Sequence, residues 1–149
     1  MRSANSRVVE RVDGNGRIDM GRCVERAQSE AVRRAALLRG RDRVIIEMAL
    51  RGSTVRAIGD AVGLPPATVH RRVRRIGERL HHPVVGLLME AGCAVAGEYR
   101  QIGLEFFLIG LSEREVADKH RMSRGSVRKV VQYLRGWGKG AAGGAGVAD

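Results

Sequence analysis

Aromatic side chains are scarce in this chain. Phe, Trp and Tyr make up 3% of its 149 residues, and lysine occurs only as Lys119, Lys129 and Lys139. A core must therefore be aliphatic, built from Val, Ile, Leu, Ala and Met, which the 44% hydrophobic content allows. The two cysteines, Cys23 and Cys93, are too few for a disulfide scaffold and lack metal-ligand spacing. They read as small buried hydrophobes of a reducing compartment. No apolar run reaches membrane-spanning length. The closest, PVVGLLMEAGCAVAGEY, is interrupted by Glu90 and Glu98. The N-terminal stretch has no signal-like apolar region, so a soluble cytoplasmic protein is expected. Catalytic vocabulary is missing as well. There are no paired carboxylates, no nucleophile motif and no phosphate-cradling Gly loop, and GKGAAGG lacks the order and preceding strand of a P-loop. No catalytic residue, cofactor or metal is expected. His81-His82 before Pro83 reads as a helix end rather than a metal pair.

What the chain does have is positive charge. Lys and Arg number 27 against 16 Asp and Glu, giving a formal charge of +11. All but the three lysines are arginine, a flat forked donor suited to phosphates and guanine edges. A polyanionic partner is implied.

The opening segment contains RVDGNGRIDMGR, which partly matches a calcium-binding loop through Asp13, Asn15, Gly16, Ile18 and Asp19. Its end positions are Arg11 and Arg22, and two cations there would repel the ion. A β-hairpin fits better: Val8, Val9 and Val12 precede DGNG, and Ile18 and Met20 follow it. Helical patterning then runs from Met20 to Leu38, with Val24, Ala27, Ala31 and Ala35 inward, and RGR at 39–41 breaks it. A short helix over Arg43–Arg51 should bury Val44, Ile45, Met48 and Ala49. Val84–Gly110 is again apolar and helical, with a break expected near Gly92 or Gly97. GKGAAGGAGVAD has no means of building a core, so disorder is expected there. The resulting organisation is all-α: residues 1–22 an arm with the β-hairpin, 23–82 and 83–137 two domains, and 138–149 a disordered Gly/Ala tail.

The two domains share a repeated unit. SEREVADKHRMSRGSVRKVV, starting at Ser112, repeats the grammar of TVRAIGDAVGLPPATVHRRV, starting at Thr54, without a gap. Identities include Glu47/Glu105, Gly52/Gly110, Arg56/Arg114, Asp60/Asp118, Val69/Val127 and Val73/Val131. Val44/Ile102, Thr54/Ser112, Ile58/Val116, Gly59/Ala117 and Ile76/Leu134 agree in class. Thr54 and Ser112 are predicted helix N-caps, and Ser112 with Glu115 has the spacing of a capping box. Gly59 and Ala117 are expected to be small because a second helix crosses close to them. Pro66 and Ser123 mark the start of that second helix in each unit. This is the helix-turn-helix pattern.

GSTVRAIGDAVGLPPATVHRRVRRIGERL resembles the domain of bacterial sigma factors that reads the promoter's minus-thirty-five element. The likeness lies in the polar cap, the small residue after an aliphatic one, the turn, and the basic helix running past it. It covers about 40 residues per copy. Arg72 departs from the pattern, standing where an aliphatic residue is usual. His120 and Arg121 depart too, in place of an aliphatic residue and Gly, which implies a looser second turn. No counterpart of the promoter-melting domain of sigma factors is visible.

On the first unit, Val69, Val73, Ile76 and Leu80 form the inward stripe of a helix over Pro66–Leu80. Ala67, Thr68, His70, Arg71 and Arg74 should then approach a DNA major groove, with Arg75 and Arg79 meeting phosphates. Ser123, Arg124, Ser126, Arg128, Lys129 and Gln132 form the expected face of the second unit, Gln132 being suited to adenine.

The expected function is a sequence-specific regulator of transcription on double-stranded DNA, an activator reading a bipartite promoter site and associated with the nucleoid when bound. RNA polymerase and a second copy of the chain are the further partners expected. Two readings compete. HRRVRRIGER resembles the arginine-rich helices of antitermination proteins that bind RNA hairpins. Paired units of this kind also serve as the DNA-binding part of transposases and recombinases.

Overall fold

The computed structural model describes residues 25–90 and 94–143. Every element described is helical, and the chain divides into two compact units after His81. The expected β-hairpin and both cysteines lie outside the described residues. Among the described residues no helix is long and apolar enough to cross a membrane.

The first unit holds α1 (Glu25–Ala35), α2 (Gly40–Leu50), α3 (Val55–Val62) and α4 (Pro66–Leu80). Its core is aliphatic throughout: Ala31, Ala35, Leu38, Ile45, Ile46, Ala49, Ile58, Val69, Val73, Ile76 and Leu80. Burying one Val, Leu or Ile contributes roughly 1.5–3 kcal/mol, so the α4 stripe is the main anchor of the unit. Helix α2 corrects one expectation. Val44 is 43% exposed, and Ile46 takes the buried place instead.

Several helix ends have an identifiable cause. Thr54 Oγ1 accepts a hydrogen bond from Ala57 N at 3.1 Å, capping α3. Gly63 ends α3 at φ +68°, where a side chain would be strained. Gly59 is small for a reason other than the crossing helix. A Cβ there would sit 2.5 Å from the Leu64 carbonyl oxygen in the turn, whereas the nearest α4 atom, Val69 Cγ2, is 3.7 Å away. Pro66 starts α4, and Arg34 of α1 donates to the Leu80 carbonyl oxygen at its C-terminus, where a cation also suits the helix dipole. Asp42 of α2 accepts from Arg79 at 2.7 Å and from Arg72 at 3.4 Å, tying α2 to α4.

The second unit holds α5 (Pro83–Met89), α6 (Gly97–Gly103) with a π-helical continuation over Leu104–Ile109, α7 (Glu113–His120) and α8 (Arg124–Gly143). Here α5, α6 and α7 all pack on α8. The apolar 84–110 segment therefore builds the core of this unit, with Val84, Val85, Leu88, Val95, Ile102, Phe107 and Leu108 buried. His81 and His82 do serve helix ends. His81 Nδ1 lies 2.8 Å from the Gly77 carbonyl oxygen, and His82 Nδ1 accepts from Val84 N at 3.2 Å as the cap of α5. Burial against Phe107, whose ring centroid is 4.7 Å away, and then the Arg135 charge push the His82 pKa down. The neutral ring this favours is the form that can accept at Nδ1.

Helix α8 continues through Gly143, past the expected domain boundary at 137, so residues 138–143 are helical where disorder was expected; the remainder of the Gly/Ala tail lies outside the described residues. Gly138 is buried, and a Cβ on it would lie 2.8 Å from Val84 Cγ2. Lacking a side chain, it lets α8 run on closely past α5.

From Thr54 and Ser112 onward the two units bury matching positions: Ile58 and Val116, Val69 and Val127, Val73 and Val131, Ile76 and Leu134. The preceding helices match only in part, with Ile45/Gly103 and Ala49/Phe107 buried in both. Val44 is exposed where Ile102 is buried. Glu47 reaches Arg43 on the surface at 2.8 Å, whereas Glu105 is buried and accepts from Lys119 and from His120 at 2.7 Å. His120 thus stands at its aliphatic position as a partner of Glu105.

The second turn is not looser. Met122 N reaches the Ala117 carbonyl oxygen at 3.0 Å, as Leu64 N reaches Gly59 in the first turn. Arg121 simply adopts the left-handed conformation at φ +53°, alone among the described non-glycine residues. That conformation costs an L-residue roughly 1–2 kcal/mol. Arg121→Gly should relieve it, less the extra entropy of an unfolded glycine. The expected gain is up to about 1 kcal/mol in urea denaturation of the second unit.

Burial raises the Glu105 pKa, but the hydrogen bonds and charges of Lys119 and His120 outweigh it and hold the carboxyl below the usual glutamate range. A depressed folded-state pKa stabilises the fold above the unfolded pKa, and that stability is lost as pH falls through the folded value. The second unit should therefore weaken on acidification below about pH 4.3. Glu105→Leu should destabilise it at neutral pH by roughly 1–3 kcal/mol and flatten this acid limb, read by thermal unfolding across pH.

Candidate nucleic-acid interface

The inward stripe of α4 decides what faces out. With Val69, Val73, Ile76 and Leu80 buried, Ala67, His70, Arg71, Arg74 and Arg75 are exposed and Thr68 is half-buried. The outward face thus carries three guanidinium groups, an imidazole and a hydroxyl. Arg74 leans toward Glu78, one turn on, at 3.3 Å. Arg79 does not join this face. Its side chain is only 19% exposed and is held at Asp42, so its expected phosphate contact gives way to a tie between helices.

On α8 the cap is in place. Ser123 Oγ accepts from Ser126 N at 3.0 Å and lies 2.8 Å from Ser126 Oγ. Arg124, Arg128, Lys129 and Gln132 are exposed and Ser126 is half-buried. Helix α8 carries Arg124, Arg128, Lys129, Arg135 and Lys139 and no acidic residue. Arg128 is tied to the neighbouring helix. Its Nε and Nη2 donate to the two oxygens of Glu113 on α7, at 3.3 and 2.9 Å. The hydrogen bond from Arg128 and the charges of Arg128, Arg124 and Arg135 pull the Glu113 pKa below its usual range. Glu113 in turn raises the Arg128 pKa.

In each unit, then, one long helix turns a set of donors and cations outward, with its opposite stripe locked in the core. Such a surface can bind phosphate oxygens and can offer forks to base edges. Among the described residues no group of three His, Cys, Asp or Glu could hold a metal ion.

Sequence reasoning passed over three groups. Asp42 acts on Arg72 and Arg79 from 30 and 37 residues away. Glu113 reaches Arg128 across 15 residues. Neither spacing has a helical period, so only the fold brings these pairs together. The third group is a set of exposed rings, Tyr99, Tyr133 and Trp137. Its signal was present in the sequence: Tyr133 and Trp137 are four residues apart on a helix whose inward positions were already filled.

Ser123→Ala should destabilise the second unit by roughly 0.5–2 kcal/mol by uncapping α8, measured by urea denaturation. Ser123→Asp should retain the stability, since a carboxylate also caps and suits the helix N-terminus.

Compared with known protein families, curated proteins and solved structures, the chain has no match.

Proposed function

We propose that the chain is a sequence-specific regulator of transcription on double-stranded DNA, an activator whose two units are helix-turn-helix modules reading a bipartite promoter site. One observation carries the reading. In both units a capped short helix, a left-handed turn residue and a long helix follow in the same register, and the long helix buries an aliphatic stripe while turning cations outward. One such unit could be a solvated basic surface. Two in a chain of charge +11 favour a polyanion.

Arg71 and Arg74 on α4, and Arg128 and Lys129 on α8, are the residues suited to base edges. His70, Thr68, Ser126 and Gln132 add polar readout, and Arg75, Arg124 and the capped start of α8 at Ser123 suit phosphates. Glu113 has a place in this scheme. By accepting from both Nε and Nη2 along one edge of the guanidinium, it orients Arg128 and leaves the remaining N–H donors for a ligand. The packed stripe of α4 favours this reading over an arginine-rich RNA helix, which need not pack on a core. Two faces also supply more sequence information than one, without a palindromic site. RNA polymerase and a second copy of the chain are the further partners of this reading.

The test is selection of duplexes from a random pool by the full chain, followed by titration of the enriched duplex. Arg71→Ala should cost roughly 1–3 kcal/mol on that duplex and little on scrambled DNA. Arg75→Ala should weaken both and lower the slope of log K against log salt by about 1. Failure to enrich any duplex, or enrichment indifferent to Arg71 and Arg128 alike, overturns the reading.

A further inference from the structure

This chain is poor in rings, and it sorts the few it has. All its aromatic residues follow residue 98. Phe107 is buried and Phe106 half-buried, whereas Tyr99, Tyr133 and Trp137 are 39%, 49% and 36% exposed. The exposed three are neighbours. Tyr99 of α6 meets Tyr133 of α8 edge-on at 6.1 Å between centroids, and Tyr133 lies 6.3 Å from Trp137. The core of this unit is closed by aliphatic side chains and Phe107, so these rings are not needed to fill it.

On α8 their setting is cationic. Lys129, Tyr133 and Trp137 follow one another at single-turn spacing, so the rings continue the helix face that begins with the outward cations of α8. Helix α8 has no acid, and in α6 Tyr99 stands between Glu98 and Arg100, whose charges offset. The first unit differs at the matching positions of its long helix, where Arg75 and Arg79 replace Tyr133 and Trp137.

We propose that Tyr99, Tyr133 and Trp137 form a stacking site for unpaired nucleobases of a single-stranded nucleic acid, beside the cationic first half of α8. Exposed rings in a cationic surround call for a partner with both negative charge and flat π faces. Bases joined to phosphates offer both, and ring stacking of this kind tolerates any base sequence. Paired bases inside a duplex already have their faces covered by their neighbours, so the site is selective for unpaired ones. The site extends the nucleic-acid reading of the second unit, but it does not depend on duplex recognition.

Trp137 is the single tryptophan of the chain, so its fluorescence reports on the site directly. The full chain is titrated with oligothymidylate, with a blunt duplex and with polyglutamate at equal charge. The single strand should quench Trp137 more than the duplex does, and polyglutamate should leave it unchanged. Tyr133→Leu keeps an apolar side chain but removes the ring, and should weaken single-strand affinity about tenfold or more, whereas Tyr133→Phe should not. Absence of quenching by the single strand, equal quenching by polyglutamate, or indifference to Tyr133→Leu overturns the proposal. Duplex binding is scored separately. A chain that quenches with single strands and holds no duplex keeps this site and loses the duplex reading. A chain that holds duplex and ignores single strands does the reverse.

Discussion

The one-sided aliphatic stripe of each long helix is the constraint on which the remaining structure depends. Val69, Val73, Ile76 and Leu80 on α4, and Val127, Val131 and Leu134 on α8, recur at helical spacing and are all buried. In a chain with so few rings, no large aromatic could replace them as the organising contact. Once these side chains are inside, rotation of the helix is fixed. The guanidinium, ammonium and hydroxyl groups on the opposite side are then displayed as a set. Display of the cations is a consequence of packing, since a solvated charge has no preferred partner to hold it in place.

Charge has a division of labour in this chain. Acids are the minority, and several of them are occupied within the fold. Asp42 joins α2 to α4, Glu105 gathers Lys119 and His120, Glu113 grips Arg128, and Glu115 completes the capping box with Ser112. Hydrogen bonds from Ser112 hold the Glu115 pKa low, as Arg128 does for Glu113. The ties of Glu113 and Glu115 are solvent-exposed, so their value is geometric more than energetic. They fix angles between helices and side-chain directions. The Asp42–Arg79 pair is part-buried and Glu105 is buried, and removing one side of the Glu105 network would leave an ionisable group inside without its partner.

Comparison of the two units shows which parts of the repeated pattern are physical necessities. Both keep a polar cap, a small residue before the turn, a left-handed residue in it and the inward stripe. The means differ. Gly63 takes the left-handed conformation freely, and Arg121 takes it at a cost. The preceding helices bury overlapping but unequal faces, so the likeness of Val44 and Ile102 is one of sequence and not of environment.

Periodicity and capping rules were enough to determine the all-α class of the described residues, the stripes of α4 and α8, the Thr54 and Ser112 caps and the helix ends at His81 and His82. Each of these is a local matter, settled within about one helical turn by hydrogen bonding and amphipathic spacing. The outward candidates on α4 and α8 followed from the same stripes. Tertiary structure alone decided what depends on distant partners: Asp42 withdrawing Arg79, Glu113 holding Arg128, and the rotation that exposes Val44 and buries Ile46. It also decided that α8 runs past residue 137. Composition reads a Gly/Ala run as unable to fold, because glycine loses the most entropy on ordering. Gly138 instead sits where any side chain would strike Val84, so the missing side chain that weakens the helix locally is what lets α8 pack on α5.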